Sequence, residues 1–90
     1  VDDPLDPSHP EFAGSAIRTL RPLPLRGSHG IATAALAGAP KNDVGITGVW
    51  PGMRVLNAPV SSADFACSDR IDALVDAIKA KPSAIVLEYG

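Results

Sequence analysis

The chain has 90 residues, enough for one small domain that buries only about 60–65% of the surface its unfolded form exposes. Its formal net charge is −2, with 8 basic residues scattered singly, so the basic stripe of a nucleic-acid binder is missing. No apolar run reaches the roughly 18 residues of a membrane span, and the polar start "VDDPLDPSHP" is not a signal peptide. The single cysteine, Cys67, excludes an internal disulfide framework, leaves the compartment open and reads as a small buried hydrophobe. Apolar residues make up 46% but are mostly Ala, Val, Ile and Leu, an inventory that resembles a piece of a larger interior.

Residues 1–12, rich in Pro and Asp, read as a loop leaving a strand that ends near Val1. Residues 13–28 read as a surface connection with short extended pieces, punctuated by Pro22, Pro24 and Gly27. From His29 to about Ala39 small residues favour a helix, which "GAPKNDVG" then breaks. "MRVLNAPV", residues 53–60, has the composition of a short strand. Ile71, Leu74, Val75 and Ile78 fall at i, i+3, i+4 and i+7, predicting one core-facing stripe on a helix of about 13 residues, with Ser68 as N-cap, Asp69 in the first turn and Pro82 beyond its end. "AIVLEY" then reads as a strand covered on both faces. Strand, helix, strand predicts a right-handed βαβ unit, hence an α/β fold with a mostly parallel sheet flanked by helices.

In such sheets sites collect outside the carboxyl ends of strands, where Asp2 and His29 could meet. The histidine segment "HGIATAALAGAPKNDVGITGVWP" resembles that of the subtilisin-like serine peptidases, of the form HGTxVAG, then a loop with Asn, then GxxGVAP. Without a gap it keeps His29, Gly30, Ala34, Asn42, Gly45, Gly48, Val49 and Pro51. "DDPLDPSHPEF" is similar to the family's aspartate segment DxGxDxxHPxL, and counting back from His9 and Pro10 puts the catalytic-type aspartate at Asp2, with Asp3 its competitor. "SDRIDALVDAIKAKPSAIVLEYG" is similar to the family's helix and SxG substrate-binding strand, with Leu87, Glu88, Tyr89 and Gly90 at the strand end.

The resemblance implies that residues 1–90 are the amino-terminal half of a subtilisin-like endopeptidase domain, incomplete without a second half. His29 would be general base and then acid, Asp2 would orient it, and residues 87–90 would pair with the substrate backbone. No cofactor is required by that chemistry, the partners are the serine-bearing remainder and a peptide or protein substrate, and the family suggests secretion. It also implies calcium held by Glu11 and Asn42 with the carbonyls of Pro40, Val44 and Ile46, against which Asn42 and Asp43 read simply as a turn. His9 reads as a structural turn residue, and Trp50 as a hydrophobic cover on its loop.

Departures are Pro4 for the glycine after the aspartate, Ile31 for Thr, Ala35 for the glycine of VAG, and Glu88 for the strand's serine, which would favour basic side chains. The nucleophile segment GTSxAxP and the oxyanion asparagine are not in these residues. The alternatives are a subtilase-like module that has lost catalysis and serves for binding or assembly, and an independent α/β domain of unrelated function.

Overall fold

The computed structural model describes residues 1–60 and 66–88. In chain order these form a short 3₁₀ turn (Pro10–Phe12), strand β1 (Ala16–Thr19), helix α1 (His29–Gly38), strand β2 (Arg54–Asn57) and helix α2 (Cys67–Lys79). The fold is mixed α/β. β1 and β2 pair in parallel, Ala16 opposite Arg54 through Thr19 opposite Asn57, and α1 lies in the connection between them.

The stretch read as a surface connection with short extended pieces contains β1, whose residues are mostly exposed and carry no alternating apolar signal; its pairing with β2 is what the sequence did not give away. The strand read over 53–60 forms its ladder at Arg54–Asn57 and continues as a parallel bridge between Pro59 and Asp2. Val60 N donates to Asp2 O at 2.9 Å. On the other side of the amino terminus, Val1 N donates to Val86 O at 2.8 Å and Glu88 N donates to Val1 O at 3.0 Å, the donor–acceptor pattern of parallel pairing. Residues 84–88 are assigned to no strand, but their main chain reaches the sheet through Val1 and not through β2. Asp2 therefore stands between two parallel neighbours, where strand carboxyl ends gather.

Helix α1 follows from its alanines, and ends where Ala39 leaves helical geometry before Pro40. Its buried residues are Gly30, Ala35 and Gly38. Ala35 and Ala39 pack with Leu5 and Phe12 in one apolar cluster, flanked by Ile17, Ile31 and Ala34. The next loop crosses close above the end of α1, with Gly48 N donating to Ala39 O at 2.9 Å; a Cβ on Gly48 would fall 2.5 Å from Ala39 N.

α2 matches its predicted extent and differs in its facing. Ala73 and Ala77 are its buried residues and pack with Ala58 and Val60. Ile71, Val75 and Ile78 are instead exposed, Ile71 and Ile78 by more than half, so the predicted stripe does not face this core. Alanine at i and i+4 brings the helix axis close to the sheet, and the large side chains then point away. The N-cap is Ala66 and not Ser68, because the helix begins at Cys67; Asp69 is in the first turn as expected. Cys67 itself is exposed, against the buried reading. Past Ala80 the chain turns through Lys81, at φ +53°, into Pro82. Arg21, just after β1, ties this helix down by an ion pair with Asp69 at 3.0 Å. Among the described residues no helix is long and apolar enough to cross a membrane.

Candidate active site

Asp2 leaves its strand position buried, with a side chain only 9% exposed. A buried carboxylate is costly unless its oxygens are hydrogen-bonded, and here each has partners. Oδ1 takes His29 Nδ1 at 2.7 Å and the Asp3 main-chain N–H at 2.6 Å. Oδ2 accepts from the Thr33 hydroxyl, which also lies 3.1 Å from the His29 carbonyl. His29 is the first residue of α1, and Thr33 follows one turn later on the same face. The helix thus delivers an imidazole and a hydroxyl to the two oxygens of one carboxylate.

Such an approach requires that nothing stand between the helix start and the main chain after Asp2. Gly30 meets this requirement, since a Cβ there would fall 2.3 Å from Asp3 O. Pro4 does not disturb the turn: no residue from Val1 to Phe12 has a positive φ, so proline's fixed φ is compatible with it. Asn57 supports the same loop through a bond of 3.4 Å from Nδ2 to Asp3 O. Its Oδ1 is buried with no hydrogen-bond partner among the described residues, and no sequence signal had singled it out.

With Asp2 as acceptor, the neutral imidazole carries its proton on Nδ1 and leaves the Nε2 lone pair free. The His29 pKa is raised above its ordinary 6.5, first by the hydrogen bond to Asp2 and by its charge, with Asp3 and Glu88 adding in the same direction. The imidazole side chain is 56% exposed, so the buried carboxylate holds a base that is open to whatever approaches. Ligand atoms of Asp2, Asp3 and His29 lie within 4.8 Å of one another. Both Asp2 oxygens are nevertheless already engaged by His29, Asp3 N and Thr33, so the arrangement is a hydrogen-bonded couple in its own right.

The other expected site residues lie as follows. Leu87 and Glu88 are exposed beside Val1, and the Glu88 charge acts on His29. Tyr89 and Gly90 lie outside the described residues. Glu11 and Asn42 come together through the loop's own bonds: Asn42 Nδ2 donates to the carbonyls of Pro10, Glu11 and Ala13, and Glu11 Oε1 accepts from Ile46 N at 2.6 Å. Asn42 Oδ1 accepts from Val44 N at 3.1 Å and Asp43 takes φ +62°, which is the turn read for this pair. His9 has a turn role, accepting from Glu11 N on Nδ1 at 3.2 Å. Trp50 does not cover its loop, being 65% exposed next to Val49 at 92%. Thr33 was missed; its signal was the one hydroxyl on α1, one turn after the histidine on a helix whose remaining residues are all apolar or glycine.

Comparison with protein-family models, with curated proteins and with solved structures returns no match.

Proposed function

We propose that this chain is the Asp- and His-bearing half of a subtilisin-like serine endopeptidase domain, working with a serine supplied by the remainder of that domain. The observation that carries the proposal is the Asp2–His29 couple, a buried, fully hydrogen-bonded carboxylate on Nδ1 of an imidazole whose Nε2 side is open. Residues 27 positions apart in the chain meet at 2.7 Å, in the chain order that the motif resemblance implies, and this contact supports the reading.

In this mechanism a serine hydroxyl, a poor nucleophile by itself, gives its proton to His29 Nε2 as oxygen attacks the scissile carbonyl. Asp2 stabilises the imidazolium so formed and keeps the ring from turning, with Thr33 and Asp3 N holding the carboxylate. The imidazolium then protonates the leaving amine, and the same base activates water to hydrolyse the acyl-enzyme. The main chain of Leu87 and Glu88, on the open side of the Val1 pairing, would take the substrate as an added strand. Exposed Leu36, Val49, Trp50, Ile71, Val75 and Ile78 supply apolar surface for the serine-bearing part to cover.

The test is labelling of the complete protein with a fluorophosphonate probe. Labelling that is lost in His29→Ala and sharply reduced in Asp2→Asn is the expected result, the Asp2 change costing up to about 10⁴ in kcat by analogy with other triads. A protein that contains the serine segment, folds and takes no label is instead a binding or assembly module on the same scaffold. A serine whose oxygen lies beyond about 6 Å from Nε2 in the complete, unlabelled protein also overturns the catalytic assignment.

A further inference from the structure

The pairing register places one more charged side chain at the site. Val1 N bonds to Val86 O and Glu88 N bonds to Val1 O, so Val1 stands opposite Leu87. One step along, Asp2 stands opposite Glu88, and directly opposed residues of neighbouring strands put their side chains on the same face, about one strand spacing of 4.7–4.9 Å apart. The face is that on which Asp2 reaches His29. The two carboxylates differ in environment. Asp2 is buried and its oxygens are engaged, whereas Glu88 is exposed and no side-chain bond ties its carboxylate to the described residues. The influence of Glu88 on the His29 proton is the electrostatic mark of this proximity.

We propose that Glu88 selects a cationic side chain, lysine or arginine, in the peptide segment that docks beside His29; this rests on the peptidase reading and names its substrate class. A peptide laid along the edge at Leu87–Glu88 passes the exposed Glu88 carboxylate, next to Asp2, whose oxygens are engaged by His29, Asp3 N and Thr33. A cationic side chain there gains a charge-assisted hydrogen bond. An acidic one meets like charge.

Two measurements on the complete protein test this, one of them independent of catalysis. In the first, benzamidine serves as the cation probe and the His29 ring resonance as the reporter. Saturable shifts that vanish in Glu88→Gln are expected; shifts that persist unchanged in Glu88→Gln, or none in the wild type, overturn the proposal. In the second, matched peptides carrying Arg, Leu or Glu beside the scissile bond are compared by kcat/KM. The Arg-to-Leu preference, a ratio that a change in overall activity does not move, is expected to fall about tenfold or more in Glu88→Gln and to invert toward the Glu peptide in Glu88→Lys. Hydrolysis with no preference, or a preference that Glu88→Gln leaves intact, removes the role of Glu88 while the peptidase reading stands. Glu88-dependent benzamidine binding without hydrolysis of any peptide keeps the cation selectivity and removes the peptidase reading.

Discussion

His29 and Asp2 sit 2.7 Å apart because Gly30 lets the helix start touch the main chain after Asp2. The histidine therefore holds its proton to higher pH in the folded chain than in the unfolded one. Stability from the couple is fully present below about pH 6.5 and is lost as pH rises through the folded value. The expected observation in an NMR titration is a His29 midpoint above 6.5 that falls in Asp2→Asn. In the peptidase reading the same group sets the acid limb of the kcat/KM profile, with activity rising as His29 loses its proton above pH 6.5. Thr33→Val removes a hydroxyl from a buried carboxylate and is expected to cost about 1–3 kcal/mol in denaturant unfolding. Gly30→Ala forces a methyl into Asp3 O; about 1–3 kcal/mol of destabilisation is expected, together with a His29 midpoint that moves back toward 6.5. An unchanged midpoint in Gly30→Ala would show that the close approach does not position the couple.

At the scale of elements, α2 shows how a periodic pattern and a packing face can part. Its apolar stripe is real in the sequence, yet the helix buries Ala73 and Ala77 and turns Ile71, Val75 and Ile78 outward. Substitutions discriminate the two faces. Ala73→Leu is expected to cost about 1–3 kcal/mol by overpacking, because Ala73 has no exposed surface against Ala58 and Val60. Ile71→Ser, on the exposed side, is expected to change the stability of this chain by itself within about 0.5 kcal/mol. The comparison is made by native-state amide hydrogen exchange of α2 in matched variants, which reads local opening without a cooperative melt, and the reverse ranking would mean that the helix faces the other way. In the complete domain of the peptidase reading, Ile71→Ser becomes costly, since burial there adds about 1.5–3 kcal/mol per large side chain. β1 presents the opposite lesson. It pairs along its whole length with β2 yet carries mostly exposed residues, so hydrogen bonding and not side-chain burial defines it.

For the whole molecule, the apolar bookkeeping is unusual. The large side chains Leu36, Val49, Trp50, Ile71, Ile78 and Val86 are each more than half exposed, while the buried core is built largely of alanine with Leu5, Phe12 and Val60. Alanine contributes little transfer free energy, so such a core holds a small chain weakly. In the peptidase reading the chain expressed alone is expected to bind a hydrophobic dye, self-associate in sedimentation and unfold without a sharp transition, and the serine-bearing part added in trans is expected to reverse all of these. A monomer with a cooperative melt and no dye binding would contradict the half-domain reading and favour an independent α/β domain.

Much of the local architecture was legible in the residues. Alanine propensity placed α1, Pro82 bounded α2, and the motif resemblance pointed to His29 and, counting back from His9 and Pro10, to the aspartate that it meets. These features are set by neighbours along the chain, so a linear pattern carries them. Which face of α2 is covered, that β1 is a paired strand, that Val1 lies between β2's extension and residues 86–88, and that Thr33 and Glu88 flank the same couple were decided only by the tertiary structure. Parallel pairing joins residues far apart in sequence through main-chain bonds that every residue type can make. Its register therefore leaves almost no trace in the identity of the side chains it brings together.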